Sequence, residues 1–215
     1  MKITIWSDFV CPFCYIGEAH LAKALESFEH AENVEIEYKS FLLSPDAEYV
    51  PGEAYYESFS NLKGIPVEQT KAMLQQVTDM AKASGVDINY DIAKFASTAD
   101  AHHVFQYAKE QGKGNEFFDR LYAAHFAEGE VLSDPEAIVR LAEEVGLAGE
   151  KVRGIIAGKE YAEKVSKDIA ESRQIGVQGV PFFVFNDKYA VSGAQPVPYF
   201  SQVLDTVWEE EKAEQ

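Results

Sequence analysis

The two cysteines of this 215-residue chain, Cys11 and Cys14, stand in Ser7-Asp8-Phe9-Val10-Cys11-Pro12-Phe13-Cys14-Tyr15, a C-x-x-C spacing. Before them Ile3-Thr4-Ile5-Trp6 alternates as a strand does. After them Leu21, Ala24, Leu25 and Phe28 recur at i, i+3, i+4 and i+7, one face of a helix. The pair therefore falls where a strand ends and a helix begins. The unpaired N–H groups and partial positive charge of a first helical turn favour an anion there. Cys11 is thus placed to react as a thiolate, both as nucleophile and as leaving group. Cys14 lies within reach to close a disulfide on it. Pro12, which lacks an N–H and has a fixed φ, suits the first helical turn.

Other uses of the pair fit less well. A structural zinc site needs two further ligands, and the sequence holds neither a second cysteine pair nor an H-x₃₋₅-H spacing. Two inert core thiols side by side at a strand-to-helix junction would be an unusual coincidence, although single free cysteines are often buried. A purely architectural disulfide closing so small a loop would add little chain-entropy stabilisation. Redox chemistry is the reading the spacing favours.

The rest of the composition bounds the setting. A content of 47% hydrophobic and 13% aromatic residues is enough for a full core, as one large domain or two lobes. The formal charge of −17 argues against nucleic acid or anionic membrane as partners. The acidic residues are scattered and read as a solvated surface. No apolar run reaches membrane-spanning length, and Met1-Lys2 leads straight into a strand without a signal-like segment, so the expected location is cytoplasmic. In a reducing compartment, a C-x-x-C is expected to be redox-active rather than architectural.

Along the chain, a helix from about Cys11 to Phe28 leads to an alternating strand at Val34–Phe41, and the two strands joined by a helix form a parallel βαβ unit. Pro45, Pro51 and Gly52 mark a long irregular connection. Helical patterning then dominates to Gly158. Helices are expected at Val67–Ser84, Asp91–Gln111, Asn115–Ala127, from Ser133-Asp134-Pro135-Glu136 to Val145, and at Glu150–Ala157. A helix over Lys159–Arg173, the apolar strand Phe182–Phe185, a turn at Asn186-Asp187, the strand Tyr189–Ser192 and a final helix over Pro196–Trp208 complete it. The tally is βαβ, a helical block, then αββα: an α/β open sheet with helices on both faces and one inserted helical lobe.

Asp8-x-x-Cys11-Pro12-Phe13-Cys14-Tyr15-Ile16-Gly17, Gly179-Val180-Pro181-Phe182-Phe183-Val184 and Ser192-Gly193-Ala194-Gln195 together resemble the DsbA-like thioredoxin superfamily, in its cytoplasmic FrnE-type oxidoreductase branch. The resemblance runs over essentially the whole chain. It implies a thioredoxin-like domain at 1–45 and 159–215, with an inserted helical subdomain at 46–158. It implies Cys11 as the exposed nucleophile and Cys14 as the resolving thiol. Pro181 corresponds to the family's cis-proline and Val180 to the residue before it, whose backbone would pair with an extended substrate strand. Phe13 and His102 are further candidates for contact with substrate. No bound cofactor and no metal are implied; glutathione enters as a possible redox partner, and the substrates are thiol- or disulfide-containing proteins or small molecules. Pro12-Phe13 offers no cation, unlike the Pro-His pair of the strongly oxidising DsbA proteins, so a milder oxidant is expected.

Two other activities belong to the comparison. The glutathione-dependent isomerases and kappa-class transferases of this superfamily typically place Ser where Cys11 stands, with an Asp-Arg pair after the last strand. Here that stretch reads Gly193-Ala194-Gln195. A chaperone-like module without redox turnover would use exposed apolar side chains at the groove, Phe13 and Trp6 among them. The FrnE-like pattern has Asn ahead of the Thr in the second inserted helix, whereas this chain has Ser97-Thr98. His20, His30, His103 and His125 show no metal spacing and are expected to be surface or satisfied core residues.

Overall fold

A computed structural model describes residues 1–213. Its single sheet is built around β1 (Lys2–Ser7), which pairs in parallel with β2 (Glu35–Ser40), Lys2 opposite Glu35 and Ser7 opposite Ser40. The crossover between them is α1 (Pro12–Glu26). On its other side β1 pairs antiparallel with β3 (Phe182–Phe185), and β3 with β4 (Tyr189–Ser192), giving the order β2-β1-β3-β4. Both edges of β1 are thus filled. Its apolar residues Ile3 and Ile5 have no exposed surface.

The β3–β4 turn shows why Asn186-Asp187 suffices without glycine. Both residues take positive φ, 47° and 53°, as a tight hairpin requires, and Asn and Asp tolerate that region best among residues with a Cβ. The Asn186 side-chain oxygen also accepts the Lys2 N–H at 2.7 Å, so the turn is tied to the sheet it serves.

Between β2 and β3 come α2 (Tyr55–Lys63), α3 (Val67–Ser84), α4 (Ala99–Glu110), α5 (Gly114–Ala123), α6 (Pro135–Glu144), α7 (Gly149–Gly158) and α8 (Ala162–Gln174), and α9 (Val197–Ala213) closes the chain. Helix α6 starts with Pro135 in its first turn, as the local sequence predicts, but its cap is the Asp134 side chain, which accepts the Glu136 N–H at 3.0 Å, in place of the capping box that Ser133 and Glu136 would form. Two starts differ from expectation. The helix predicted from Asp91 begins at Ala99, because Ser97 is held through its N–H to Ala47 O at 3.0 Å and through its hydroxyl to Pro45 O at 2.8 Å. Tertiary bonds there outweigh local helical preference. The helix predicted from Lys159 begins at Ala162, since Lys159 and Tyr161 both adopt left-handed backbone and break the chain direction after α7. Helix α5 passes into a π turn, Ala124–Glu128, ending at Gly129, where any Cβ would meet Ile92 O at 2.6 Å.

Two apolar clusters flank the sheet. One joins Ile3, Ile5, Phe183 and Phe185 to Leu21, Ala24, Phe200 and Leu204 of α1 and α9. The other joins Phe9, Cys11, Cys14 and Ile16 to the inserted helices through Leu74, Val104, Phe105, Phe118 and Tyr122. Helix α1 therefore belongs to both, and the insertion packs against the C-x-x-C segment through one continuous core. The architecture is a thioredoxin fold carrying an all-helical insertion. Among the described residues, no helix is long and apolar enough to cross a membrane.

Gly17 allows α1 to approach the segment before β3. A Cβ there would lie 3.1 Å from Pro181 Cγ and 3.3 Å from both Ala194 Cα and Phe183 Cζ. Gly17→Val should therefore lower unfolding free energy by about 1–3 kcal/mol through overpacking. Gly17→Ala should cost less, because alanine's helix preference of about 1 kcal/mol offsets the crowding. Urea titration of both variants checks the order; a Gly17→Val protein as stable as the parent would contradict the close approach.

Candidate active site

Cys11 is the N-cap of α1, with extended backbone (φ −89°, ψ 110°) and Pro12 in the first turn behind it. Its N–H donates to Asp8 O at 3.0 Å, and its own carbonyl accepts from Cys14 N at 3.1 Å and Tyr15 N at 3.3 Å. Both thiols are free. The Cys11 thiol donates to Val180 O at 3.5 Å, and the Val180–Pro181 peptide bond is cis. Four of the residues singled out from sequence, Cys11, Cys14, Val180 and Pro181, are thus gathered at one end of the sheet.

Cys11 departs from the expected exposed nucleophile: it is 3% exposed, and Cys14 has no exposed surface. The inserted helices account for this. Tyr55 and Tyr90 share the apolar cluster of Cys11 and lie within its electrostatic reach; burial first pushes both phenols up, and the charge of Cys11 adds to it, next in line for Tyr55 and after Tyr55 itself for Tyr90. Around the site Phe13 is 40% and Leu43 46% exposed, and Val180 is half-buried, so an apolar rim remains accessible next to a recessed sulfur.

The second sulfur is harder to ionise. Burial pushes the Cys14 thiol well above its ordinary value, reinforced by the neighbouring Cys11 and by the negative charge of Glu18, while the nearby Ser7 hydroxyl works in the opposite direction. Glu18 was not a candidate from sequence. Its Oε1 accepts from Ser7 Oγ and Tyr122 Oη, each at 2.9 Å, and those two hydroxyls are themselves 2.9 Å apart. Burial raises the Glu18 carboxyl to about 8, with a smaller push from Asp119, against the lowering effect of the hydroxyls of Ser7, Tyr122 and Tyr38. One signal did exist: Glu18 stands at i+4 from Cys14 and i−3 from Leu21, a charged residue on the otherwise apolar face of α1.

His102 does not line an open cleft. It is fully buried, with its ring stacked on Phe9 at 4.2 Å between centroids and its Nε2–H donating to Asp8 Oδ1 at 3.3 Å. Asp8 Oδ1 also accepts from Thr98 Oγ1 at 2.7 Å, and Oδ2 from Leu43 N at 2.8 Å. His102 thus belongs to the wall behind the cysteines. Trp6, expected at an exposed groove, is 4% exposed and donates its indole N–H to Asp168 O at 2.9 Å, which takes it out of the apolar surface invoked for a chaperone-like module. His20 bonds Gln195 O and Ser84 Oγ, and His30 stacks on Trp208. His102 and His103 each leave Nδ1 without a hydrogen-bond partner among the described residues, but in His125, fully buried against Phe126, neither ring nitrogen has one, and burial lowers it to about 4.

The comparison with known proteins agrees with this geometry. The profile described as DSBA-like thioredoxin domain matches residues 2–205, and the chain belongs to that family. A Bacillus subtilis (strain 168) protein, the uncharacterized protein YwbO, is 27% identical over 207 residues, spanning 95% of this chain and 96% of its own. Among solved structures, the probable DsbA oxidoreductase SCO1869 from Streptomyces coelicolor is 36% identical, with a TM-score of 0.89 over 98% of this chain and 91% of that one. A 2-hydroxychromene-2-carboxylate isomerase (16% identity, TM-score 0.69, the full length of both chains) shares the fold. So does the cytosolic disulfide reductase DsbM from Pseudomonas aeruginosa, solved with GSH (18% identity, TM-score 0.64, 99% of this chain and 98% of that one).

His125 makes stability depend on pH. Above its ordinary value of 6.5 the imidazole is neutral whether the chain is folded or not; as pH falls toward 4, the unfolded chain takes up a proton that the folded one refuses. The parent should therefore lose roughly 3 kcal/mol relative to His125→Phe between pH 6.5 and 4. Denaturant titrations of the two proteins across that window check it; parallel curves would show that His125 is protonated without penalty.

Proposed function

We propose that this protein is a thiol–disulfide oxidoreductase of the FrnE type, working in the cytoplasm through the Cys11-Pro12-Phe13-Cys14 pair. The observation that carries this reading is the placement of two free thiols at the head of α1, with Cys11 Sγ beside the backbone carbonyl of the half-buried Val180. The apolar rim of Phe13, Leu43 and Val180 supports an extended peptide lying along the Val180–Pro181 segment, held by main-chain contacts and so broadly selected.

Cys11 attacks one sulfur of a substrate disulfide, forming a mixed disulfide and releasing one substrate thiolate. Cys14 then attacks Cys11, the bond between Cys11 and substrate breaks, and the second substrate thiolate leaves. The substrate gains two electrons and two protons, and the protein is left with a Cys11–Cys14 disulfide. Two molecules of a thiol such as glutathione restore it, leaving as their own disulfide; run backwards, the same steps oxidise a dithiol. The cycle uses glutathione as a redox partner and no bound cofactor. The cytosolic reductase that shares the fold and was solved with GSH is consistent with this setting. A thiol at position 11 separates the reading from isomerase chemistry of the glutathione-dependent kind.

Cys14→Ser should accumulate a covalent adduct at Cys11 when mixed with oxidised glutathione or a disulfide-bonded peptide, seen as an added mass, while catalysed exchange drops to background. Cys11→Ser should form no adduct. A parent protein that exchanges neither substrate faster than the uncatalysed reaction would overturn the reading.

A further inference from the structure

A cleft of about 370 Å³ opens between β2, the second half of α4 and α8. In a chain of formal charge −17 it is lined by four lysines and four carboxylates, so its charges balance and the question is which of them are engaged. Glu37 is held by Lys2 at 2.7 Å, Glu171 by Lys39, and Glu110 by Lys164 and by the Tyr161 hydroxyl, which donates to its Oε2 at 2.6 Å. Two groups are left over. Lys109, half-buried, forms no ion pair among the described residues; its Nζ donates to Tyr38 O at 2.6 Å, which uses one of its three N–H groups. Asp168, 9% exposed, spends Oδ2 on Ser40 N at 2.9 Å and Gln106 Nε2 at 2.7 Å, while Oδ1 accepts no hydrogen bond among the described residues. Gln106 and Lys109 stand three positions apart on one face of α4, about 5–6 Å between Cβ atoms. Lys109 thus lies one turn from the Asp168 carboxyl, near enough to feel its charge but not paired with it. At the rim Lys167 is mostly exposed, with only a 3.9 Å contact to Glu171.

We propose that this cleft binds the zwitterionic head group of an acidic α-amino acid, its ammonium on Asp168 Oδ1, its α-carboxylate on Lys109 and its side-chain carboxylate on Lys167 at the rim. The head group carries both charges on one carbon, so it bridges the two uncommitted groups with a charge-assisted hydrogen bond at each end. Neither ion alone does so. An inorganic anion on Lys109 would set a second negative charge beside Asp168, and a simple amine on Asp168 would leave Lys109 facing a like charge. Both host groups are already held in place, Asp168 by its two bonds and Lys109 by Tyr38 O, so little ordering is left for the ligand to supply. An occupant clasps α4, which carries His102, to α8, which leads through Ile175-Gly176-Val177 into the Val180–Pro181 segment. The inference is independent of the oxidoreductase reading.

The test is a titration of the full chain with L-glutamate, followed by amide NMR and by thermal unfolding at constant ionic strength. Amides of α4 around Gln106–Glu110 and of α8 around Lys164–Glu171 should shift and saturate, and at about ten times the dissociation constant Tm should rise by about 2–4 °C. N-acetyl-L-glutamate, which lacks the ammonium, and L-isoglutamine, which lacks the α-carboxylate, should each bind at least about tenfold more weakly, the loss of one charge-assisted bond. S-methylglutathione carries the same head group at its γ-glutamyl end; binding as tight as that of L-glutamate would support the head-group site with a peptide source, and weaker binding would support it with a free amino acid. Lys109→Met should weaken L-glutamate about tenfold and erase its advantage over L-isoglutamine, a selectivity that a merely structural lysine would not set. Shifts that fail to saturate, that fall elsewhere in the chain, or that the N-acetyl compound reproduces at the same concentration would overturn the site, and the parent spectra decide this even if the variant unfolds.

Discussion

The buried carboxyl of Asp8 fixes where the two cysteines stand. Taken out of water, such a group is tolerated only when donors surround it, and leaving it unpaired would cost several kcal/mol. Its three donors come from separate parts of the chain: Leu43 N from the loop after β2, Thr98 Oγ1 from the segment ahead of α4, and His102 Nε2 from α4 itself. The backbone carbonyl of the same residue accepts the Cys11 N–H. One residue at the end of β1 therefore sets the start of α1 with its main chain and holds the insertion with its side chain. Phe9, the next residue, continues the contact by stacking on His102 and meeting Phe105 and Phe118 edge-on.

A second buried carboxyl does the equivalent work from α8. Asp168 Oδ2 accepts Ser40 N at 2.9 Å and Gln106 Nε2 at 2.7 Å, and its main-chain oxygen accepts the Trp6 indole. Gln106 also donates to Ser40 Oγ. Helix α4 is consequently bonded near its start to the end of β1 and, a turn later, to the end of β2. Hydrogen bonds of this kind are directional, so they fix the orientation of α4 in a way that apolar packing alone does not. The insertion is the inner wall of the site, and the burial of Cys11 follows from that.

What could be read in advance depended on the range over which each feature is determined. Strand β3, the helix Val67–Ser84 ending at Gly85 and the start of α6 at Pro135 are specified within a few neighbouring residues, and they lie where the pattern puts them. Residues 91–98 carry a helical pattern and yet are irregular: their end, Ser97 and Thr98, is tied to Pro45, Ala47 and Asp8, each about fifty or more positions away. His102 was legible as a residue near the site but not as a buried partner of Asp8, because nothing in the spacing of the two reveals a contact across 94 positions. Glu18 was within reach: a carboxylate on an apolar helix face, one turn after a cysteine, is a local anomaly with a physical cause.

The two sulfurs of the C-x-x-C are chemically unequal, and the structure shows where the inequality arises. Cys11 caps the helix at a rim with accessible apolar surface beside it, whereas Cys14 is sealed between β1 and the inserted helices. Enclosure in low-dielectric surroundings penalises the thiolate of Cys14 and leaves its proton without direct contact with water. In the proposed cycle, first attack accordingly belongs to Cys11, whatever the direction of electron flow. Cys14 enters only when its partner sulfur is already in a disulfide, and only as fast as its proton can depart. The insertion that encloses the pair thus imposes an order on the chemistry: access chooses the first sulfur, and proton removal governs the second.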